Sequence, residues 1–187
     1  MSDVIDKNKM LLDQILNTEE NLMAAYECYK VFPQVIEQLI RRRKAIVQDT
    51  IKEQGLQGFT CNTEVEFWET YTNLLTCSSP SLDQVNLTLA VQTQATSLRN
   101  VIIGVFWKND LTNESPELAQ QIFEFFNDQF RSGRQSPRWP WYVPLRDHWR
   151  DWGNPAAVRA LYNNELTEPE NDMLWLCKLF SDFFNMM

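Results

Sequence analysis

The chain has 187 residues, 44% of them hydrophobic, so it can bury a sizeable core and is not expected to be disordered. Its formal charge of −8 argues against a general nucleic-acid-binding protein, which usually carries a basic surplus. With only 5 glycines, few tight turns are available, and this favours long helices over an all-β sandwich.

The first 54 residues are predicted to form a helical extension. Apolar residues recur there at helical spacing, and Asn17 or Thr18 can cap a second helix. Pro33 predicts a break, after which the helical pattern resumes. Gly55 fits the position just past the end of that helix.

Residues 55–187 are predicted to form the rest of a single domain. Thr63 and Glu66 have the spacing of a capping box, so a short helix is expected to run on through Leu75. Alternating apolar residues at 85–91 and an apolar run at 98–107 then predict the two strands of a β-hairpin.

Two further helices have clear start signals, because Ser115 and Asn154 can act as N-caps and a proline follows each of them. A last helix starts near residue 167. The fold class is therefore α+β, with a helical N-terminal half and a small antiparallel sheet, a β-hairpin, flanked by helices. A tryptophan-rich loop and two C-terminal helices complete it.

The four cysteines do not form a metal-binding pattern, since no pair has C-x-x-C spacing and no histidine lies near them. The N-terminus has no secretory apolar segment, and no run of 18 apolar residues is present. We therefore expect a cytoplasmic protein with reduced thiols and with neither a metal nor a cofactor.

The most unusual stretch is "WPWYVPLRDHWRDWGNP", residues 139–155. Three interpretations remain open: a structural clasp, a protein-binding surface, or a platform for unpaired bases. If the segment binds a protein, its candidate contact residues are Trp139, Trp141, Tyr142, Arg146, His148, Trp149, Arg150 and Trp152. His148 is the only histidine and no nucleophile motif accompanies it, so catalysis is not predicted.

Two other segments could contact a partner. The basic run of Arg41, Arg42, Arg43 and Lys44 lies within a predicted helix, with Arg42 and Arg43 opposite its apolar stripe. A solvated face is expected there, and a contact for an acidic partner or a phosphate is the alternative. The C-terminal helix is apolar to its end, so Phe184, Met186 and Met187 either pack on the core or join a partner or a second copy.

Several stretches together resemble the region that follows the nuclease core in bacterial proteins of the PD-(D/E)XK nuclease superfamily. They cover most of residues 20–187 and are "NLMAAYECYKVFPQVIEQLI", "EFWETYTNLL", "LRNVIIGVFW" and "WPWYVPLRDHWRDWGNPAAVRALYNNE". The tryptophan segment is the most specific of these. Many proteins of that superfamily are linked to bacterial defence or mobile elements.

The chain departs from the superfamily at its chemistry. The nuclease needs an acidic-x-Lys triplet and a further carboxylate to hold Mg²⁺ and activate water. No lysine or glutamine here has an acidic residue two positions before it. No catalytic residue of the superfamily can therefore be assigned to this chain.

The resemblance, taken with this departure, predicts a non-catalytic protein in a bacterial host cell that binds another protein. Two roles fit: an inhibitor, encoded by a phage or mobile element, of a bacterial defence complex, or a companion subunit of a separately encoded nuclease. The alternative is a nucleic-acid-binding or vestigial nuclease module that uses residues 41–44 and the tryptophan segment. A third class, an enzyme with an unfamiliar site, also stays open.

Overall fold

The structure, a computed structural model, describes residues 2–56, 58–65, 67, 69–108, 115–163 and 166–186. Helices combine with an antiparallel sheet, so the fold is α+β. The chain divides into two compact units, Met1–Ile36 and Glu37–Met187. We call them unit 1 and unit 2.

Two helices begin the chain, α1 (Ser2–Leu16) and α2 (Glu19–Glu53). The Oγ1 atom of Thr18 accepts a hydrogen bond of 3.1 Å from the N–H of Asn21, which confirms the predicted cap. The predicted break at Pro33 is wrong, because α2 continues through it. Pro33 removes one backbone hydrogen-bond donor from α2. The helix is 35 residues long, so the turns before and after Pro33 hold it together despite that loss.

The end of α2 follows the prediction. Gly55 has a positive φ of 74°, in the left-handed region that glycine adopts without a steric penalty. The N–H of Leu56 then donates to the carbonyl of Ile51 at 3.0 Å, and the N–H of Gly55 donates to the carbonyl of Lys52 at 3.2 Å. These bonds satisfy carbonyls that the helix end would leave unpaired.

An antiparallel sheet forms the centre of unit 2, with strand order β1-β2-β3-β4-β6-β5. Its strands are β1 (Thr60–Glu64), β2 (Asn73–Ser78), β3 (Leu87–Gln92), β4 (Ile102–Trp107), β5 (Arg134–Ser136) and β6 (Trp139–Pro144). The predicted hairpin is confirmed, since β3 pairs with β4 and Leu89 lies opposite Val105.

The helix predicted from Thr63 onward is wrong, because the chain forms β1 and β2 there. The two strands pair with each other, and β2 also pairs with β3. Ladders between segments distant in sequence override a local capping pattern, which occurs by chance in many sequences. Glu66, which the prediction also used, lies outside the described residues.

The remaining helices are α3 (Pro80–Gln84), α4 (Pro116–Gln129), α5 (Pro155–Tyr162) and α6 (Glu168–Met186), with a 3₁₀ turn at Asp147–Arg150. Both predicted N-caps are confirmed. The Oγ atom of Ser115 accepts a bond of 3.3 Å from the N–H of Leu118, and Oδ1 of Asn154 accepts one of 2.8 Å from the N–H of Ala156.

Helices α4 and α6 cover one face of the sheet, which we call the first face. The Phe126 ring of α4 lies 5.3 Å from the Phe180 ring of α6 and 5.3 Å from the Trp141 ring of β6. All three side chains are fully buried. The main core of unit 2 therefore lies between this face and the two helices.

A disulfide joins Cys61 of β1 to Cys77 of β2, which lie opposite each other in the ladder. The expectation that all the cysteines are reduced is therefore wrong for this pair. Sequence spacing alone does not indicate the bond, because only strand pairing brings the two residues together. Cys28 is exposed, and Cys177 is buried, which raises the pKa of its thiol.

A buried ion pair connects α2 to α6. Nε and Nη2 of Arg43 each donate to one carboxylate oxygen of Glu170 at 2.6 Å, and the two side chains are 3% and 2% exposed. Nη1 of Arg43 also donates to the carbonyl oxygen of Asn163. The expectation that Arg43 lies on a solvated face is therefore wrong.

Glu170 also completes the start of α6. Its Oε2 atom accepts bonds from the N–H and the Oγ1 hydroxyl of Thr167, at 2.6 and 2.9 Å. The bond from the residue before a helix to the carboxylate three positions later is one half of a capping box. The Glu170 carboxylate thus caps the N-terminus of α6 and also binds the guanidinium of Arg43 on α2.

Replacing Arg43 by alanine should lower the free energy of unfolding by about 3–5 kcal/mol, because the Glu170 carboxylate would stay buried without its partner. Urea denaturation followed by circular dichroism would measure the change. The control is Arg41→Ala, which removes an exposed side chain two positions earlier and should shift stability by less than about 0.5 kcal/mol. Equal losses in the two variants would contradict the role given to the pair.

Thiol titration should separate the cysteines into three groups. With Ellman's reagent, Cys28 should react in the native protein, whereas Cys177 should react only after denaturation, because burial keeps it protonated and inaccessible. Cys61 and Cys77 should react only after denaturation and reduction. Detection of all the thiols in denatured, unreduced protein would refute the disulfide.

Candidate functional site

The tryptophan segment forms β6 and the following 3₁₀ turn, so the prediction of a loop is wrong there. Strand β6 pairs with β4, and Gly104 lies opposite Tyr142 in that ladder. On its other side β6 pairs with the short strand β5. The alternation of large side chains suits a strand with neighbours on both sides.

The tryptophans of this segment are core residues. Trp139, Trp141, Trp149 and Trp152 are at most 6% exposed. Tyr142 and His148 are half-buried, and Arg146 and Arg150 are exposed. The burial agrees with the clasp interpretation, and only these last four side chains could contact a partner directly.

Trp141 is fixed on the first face by a shared acceptor. Oδ1 of Asn127, on α4, accepts a bond of 3.2 Å from Nε1 of Trp141 and one of 2.6 Å from the N–H of Gly133. A Cβ atom on Gly133 would lie 2.2 Å from Nε1 of Trp141, so no larger residue fits there without a shift. The end of α4 is therefore held against β6.

The 3₁₀ turn is fixed to the loop that precedes β4. The N–H of Val101 donates to the carbonyl of Arg150 at 3.2 Å, and the N–H of Trp152 donates to the carbonyl of Leu98 at 3.0 Å. The Trp149 ring lies 5.8 Å from the Trp152 ring and 4.7 Å from the His148 ring. His148 thus stacks against the buried tryptophan cluster.

The opposite face of the sheet, which we call the second face, carries a smaller aromatic cluster. The Trp139 ring lies 5.2 Å from the Phe106 ring and 6.0 Å from the Tyr142 ring, and Ile102 and Ala90 complete the cluster. Phe106 and Tyr142 are only partly buried. The aromatic residues of β6 are thus shared between the two faces of the sheet.

A pocket of about 380 Å³ opens beside this cluster. We call it the arginine pocket, and it is lined by Gln94, Asn100, Val101, Ile102, Arg134, Ser136, Trp139, Tyr142, Pro144 and Arg150. Its volume lies within the range of roughly 300–1,000 Å³ typical of ligand sites. Three of the predicted contact residues line it, namely Trp139, Tyr142 and Arg150, and of these Trp139 is only 6% exposed.

Another charged group lies between α4 and α6. Arg131 donates to Oδ1 of Asp172 at 2.8 Å, and its Nη2 atom lies 3.7 Å from Glu168. Burial raises the pKa of Asp172, the charge of Arg131 opposes that rise, and the charge of Glu168 adds to it.

The basic run does not form one continuous patch. Arg41 and Arg42 are exposed, whereas Arg43 is buried against Glu170. Lys44 is half-buried, and its Nζ atom donates to Oδ1 of Asn62 at 3.2 Å. A basic contact with a partner would therefore rest on the first two residues of the run.

The C-terminal helix packs through most of its apolar residues. The Phe183 ring lies 5.2 Å from the Phe125 ring of α4, and Phe180 and Phe183 are buried. Phe184 is half-buried, and the side chains of Met186 and Met187 lie outside the description. Association of two copies through this helix stays a prediction.

The apolar residues of unit 1 are the largest exposed group of their kind. Of the 14 large hydrophobic side chains exposed in the described part of the chain, 11 lie between Met10 and Val35, so unit 1 is a candidate binding surface. Leu11, Leu12 and Leu16 on α1 are 56%, 56% and 69% exposed. Sequence periodicity predicted apolar stripes here, but it does not reveal whether a stripe is covered.

Sequence patterns did not predict the arginine pocket. Arg134 lies on a three-residue strand that the sequence does not mark, and Gln94 and Asn100 come from an ordinary polar loop. One signal was present: residues 131–159 contain six arginines and only two acidic residues, in a chain whose net charge is −8. Such a local positive charge indicates a candidate anion contact.

Within the described residues, no group of three or more His, Cys, Asp or Glu side chains is arranged to hold a metal ion. None of the helices in that part of the chain combines the length and the apolar character that a membrane crossing requires. Comparisons with protein-family models, with curated proteins and with solved structures gave no match to this chain.

Replacing Asn127 by leucine should destabilise the protein, because the N–H of Gly133 and Nε1 of Trp141 would lose their common acceptor. The cost should be about 1–3 kcal/mol for each donor left without a partner. The matched control is Asn127→Asp, which keeps an oxygen acceptor at the same place and should retain most of the stability. Thermal denaturation monitored by tryptophan fluorescence would distinguish the variants, and equal melting temperatures would contradict the assignment.

Proposed function

We propose that the protein is a non-catalytic binding protein that docks on an amphipathic helix of another protein through the apolar residues of unit 1. The observation that carries this proposal is the concentration of exposed apolar side chains on α1 and the first part of α2. Exposed patches of this kind are typical of interaction sites. The partner would cover a surface that otherwise faces water.

The extent of the surface fits a stable interface. A half-exposed large side chain presents on the order of 100 Å² of apolar area, so eight of them supply roughly the 800 Å² per partner of a standard interface. Leu22, Met23 and Tyr26 on α2 are also 46%, 50% and 53% exposed. Monomeric proteins rarely leave a contiguous apolar patch larger than a few hundred Å².

The spacing and charge of unit 1 support a partner of one chemical class. Leu22, Tyr26 and Tyr29 follow the alternating steps of four and three residues typical of helices that pack side by side. Residues 1–36 contain six acidic and three basic side chains, so the unit is net negative. The complementary partner is a helix with an apolar stripe and lysine or arginine along its flanks.

The proposed role follows from the resemblance to PD-(D/E)XK proteins and from the missing nuclease motif. A protein that resembles an accessory region and has no acidic-x-Lys triplet in this sequence can act as an inhibitor of a bacterial defence complex or as a companion subunit of a separate nuclease. Both roles place it inside a bacterial cell, and both depend on binding another protein. Neither requires a catalytic residue.

A photo-crosslinking amino acid placed at Tyr26 would test the proposal in the full-length protein, expressed in a bacterial host. Mass spectrometry should map the cross-links to a helical segment of another protein with apolar four-three spacing and basic flanks. Replacing Leu12 and Leu16 together by aspartate should reduce the cross-linked yield more than tenfold, because interface anchors often contribute about 2 kcal/mol or more.

A crosslinker at Tyr162 is the matched control, since this tyrosine is 69% exposed but lies in unit 2. It should not label the same partner segment. Circular dichroism would verify that the aspartate variant keeps its helices. Undiminished cross-linking in that variant would overturn the proposal. So would a dimer in sedimentation that the same two substitutions dissociate, because a second copy would then occupy the surface.

A further inference from the structure

The proposed protein binding by unit 1 assigns no role to the arginine pocket of unit 2. Its inner wall is apolar and aromatic, formed by Ile102, Trp139 and Tyr142. Trp139 is 6% exposed and supports the ring of Tyr142, which remains partly accessible. An accessible aromatic ring backed by a second ring can stack a planar group.

The rim of the pocket is rich in hydrogen-bond donors. Arg134 comes from β5 and Arg150 from the 3₁₀ turn, and Asn100 adds an amide. The amide of Gln94 is already engaged, because its Nε2 atom donates to Oε1 of Gln92 at 3.0 Å and to the carbonyl of Thr93 at 3.2 Å. None of the described lining residues is acidic. The described residues also include no ion-pair partner for either arginine, whereas Arg43 and Arg131 each have a carboxylate. Two arginines that have no carboxylate within ion-pair distance among the described residues therefore line the same opening.

The backbone around the opening is strained. Ser97, Leu98 and Asn100 have φ angles of 58°, 57° and 54°, and Asp147, at the start of the 3₁₀ turn, has a φ of 47°. Such angles cost free energy in residues other than glycine, and they concentrate where a structure positions groups for function. The hydrogen bonds between Val101 and Arg150 and between Leu98 and Trp152 hold the two strained segments together.

We propose that the arginine pocket binds a nucleoside monophosphate, with its phosphate between Arg134 and Arg150 and its base on Tyr142. A phosphate monoester carries a charge of about −1.5 to −2 near neutral pH. Two guanidinium groups match this charge better than they match the single charge of a carboxylate. The forked guanidinium donates two parallel bonds to phosphate oxygens. The base replaces water on the accessible ring of Tyr142.

Isothermal titration calorimetry on the full-length protein would test this site with adenosine 5′-monophosphate as the probe. Inorganic phosphate and adenosine should each bind at least tenfold more weakly than the nucleotide, because each retains only one half of the interaction. Arg134→Ala and Arg150→Ala should each weaken nucleotide binding by about tenfold to a hundredfold, the range for hydrogen bonds to charged groups. Affinity should also fall as salt rises.

Matched variants separate recognition from a loss of structure. Arg159→Ala removes an exposed arginine of α5 that does not line the pocket, and it should leave the affinity unchanged. Arg134→Lys keeps the charge but not the fork, so its affinity should lie between those of the wild type and the alanine variant. Thermal denaturation without ligand should be the same for all these variants.

Three results would overturn the inference. The first is no binding of the nucleotide at millimolar concentration. The second is binding that Arg134→Ala and Arg150→Ala leave unchanged. The third is equally tight binding of a short single-stranded oligonucleotide that lacks a terminal phosphate, because phosphodiester recognition would then explain the pocket. None of these results depends on unit 1 or on its partner.

Discussion

The arrangement of unit 2 depends on one buried ion pair, Arg43 with Glu170. Moving two charges out of water costs free energy, and only a close ion pair with two hydrogen bonds offsets that cost. The pair therefore permits one register of α2 against α6. Because Glu170 also caps α6 through Thr167, the same carboxylate sets where that helix starts. Helix α6 then places Phe180 against α4, and α4 holds Trp141 of the sheet.

Sequence patterns predicted the elements whose signals are local. The caps at Thr18, Ser115 and Asn154 depend on side chains that bond to backbone groups a few residues away, so a short window contains the necessary information. Strands β1 and β2 were misassigned because their stability comes from partners distant in sequence. The disulfide between Cys61 and Cys77 is a product of the same pairing and was missed for the same reason.

The candidate sites also combine features that local sequence reveals with features that only the folded chain creates. Composition identified the tryptophan segment as unusual. The burial of its rings depends on β6, which places them on both faces of the sheet. The sequence predicted only a single hairpin there. Arg134 and Arg150 meet at one pocket only after β5 pairs with β6 and the loop before β4 binds the 3₁₀ turn. The apolar stripe of unit 1 was visible as periodicity. Its exposure is a property of the folded chain, because a stripe looks the same in sequence whether it is covered or not.

The two edges of the sheet have a consequence for how this protein can associate. Strands β1 and β5 lie at its ends, and an unpaired edge is a template on which a foreign strand can add. Strand β1 is cross-linked to its neighbour and turns Thr60, Asn62 and Glu64 outward. Strand β5 is only three residues long, and Pro137 follows it. Both edges thus discourage fibre-like growth and the addition of a partner's strand to the sheet.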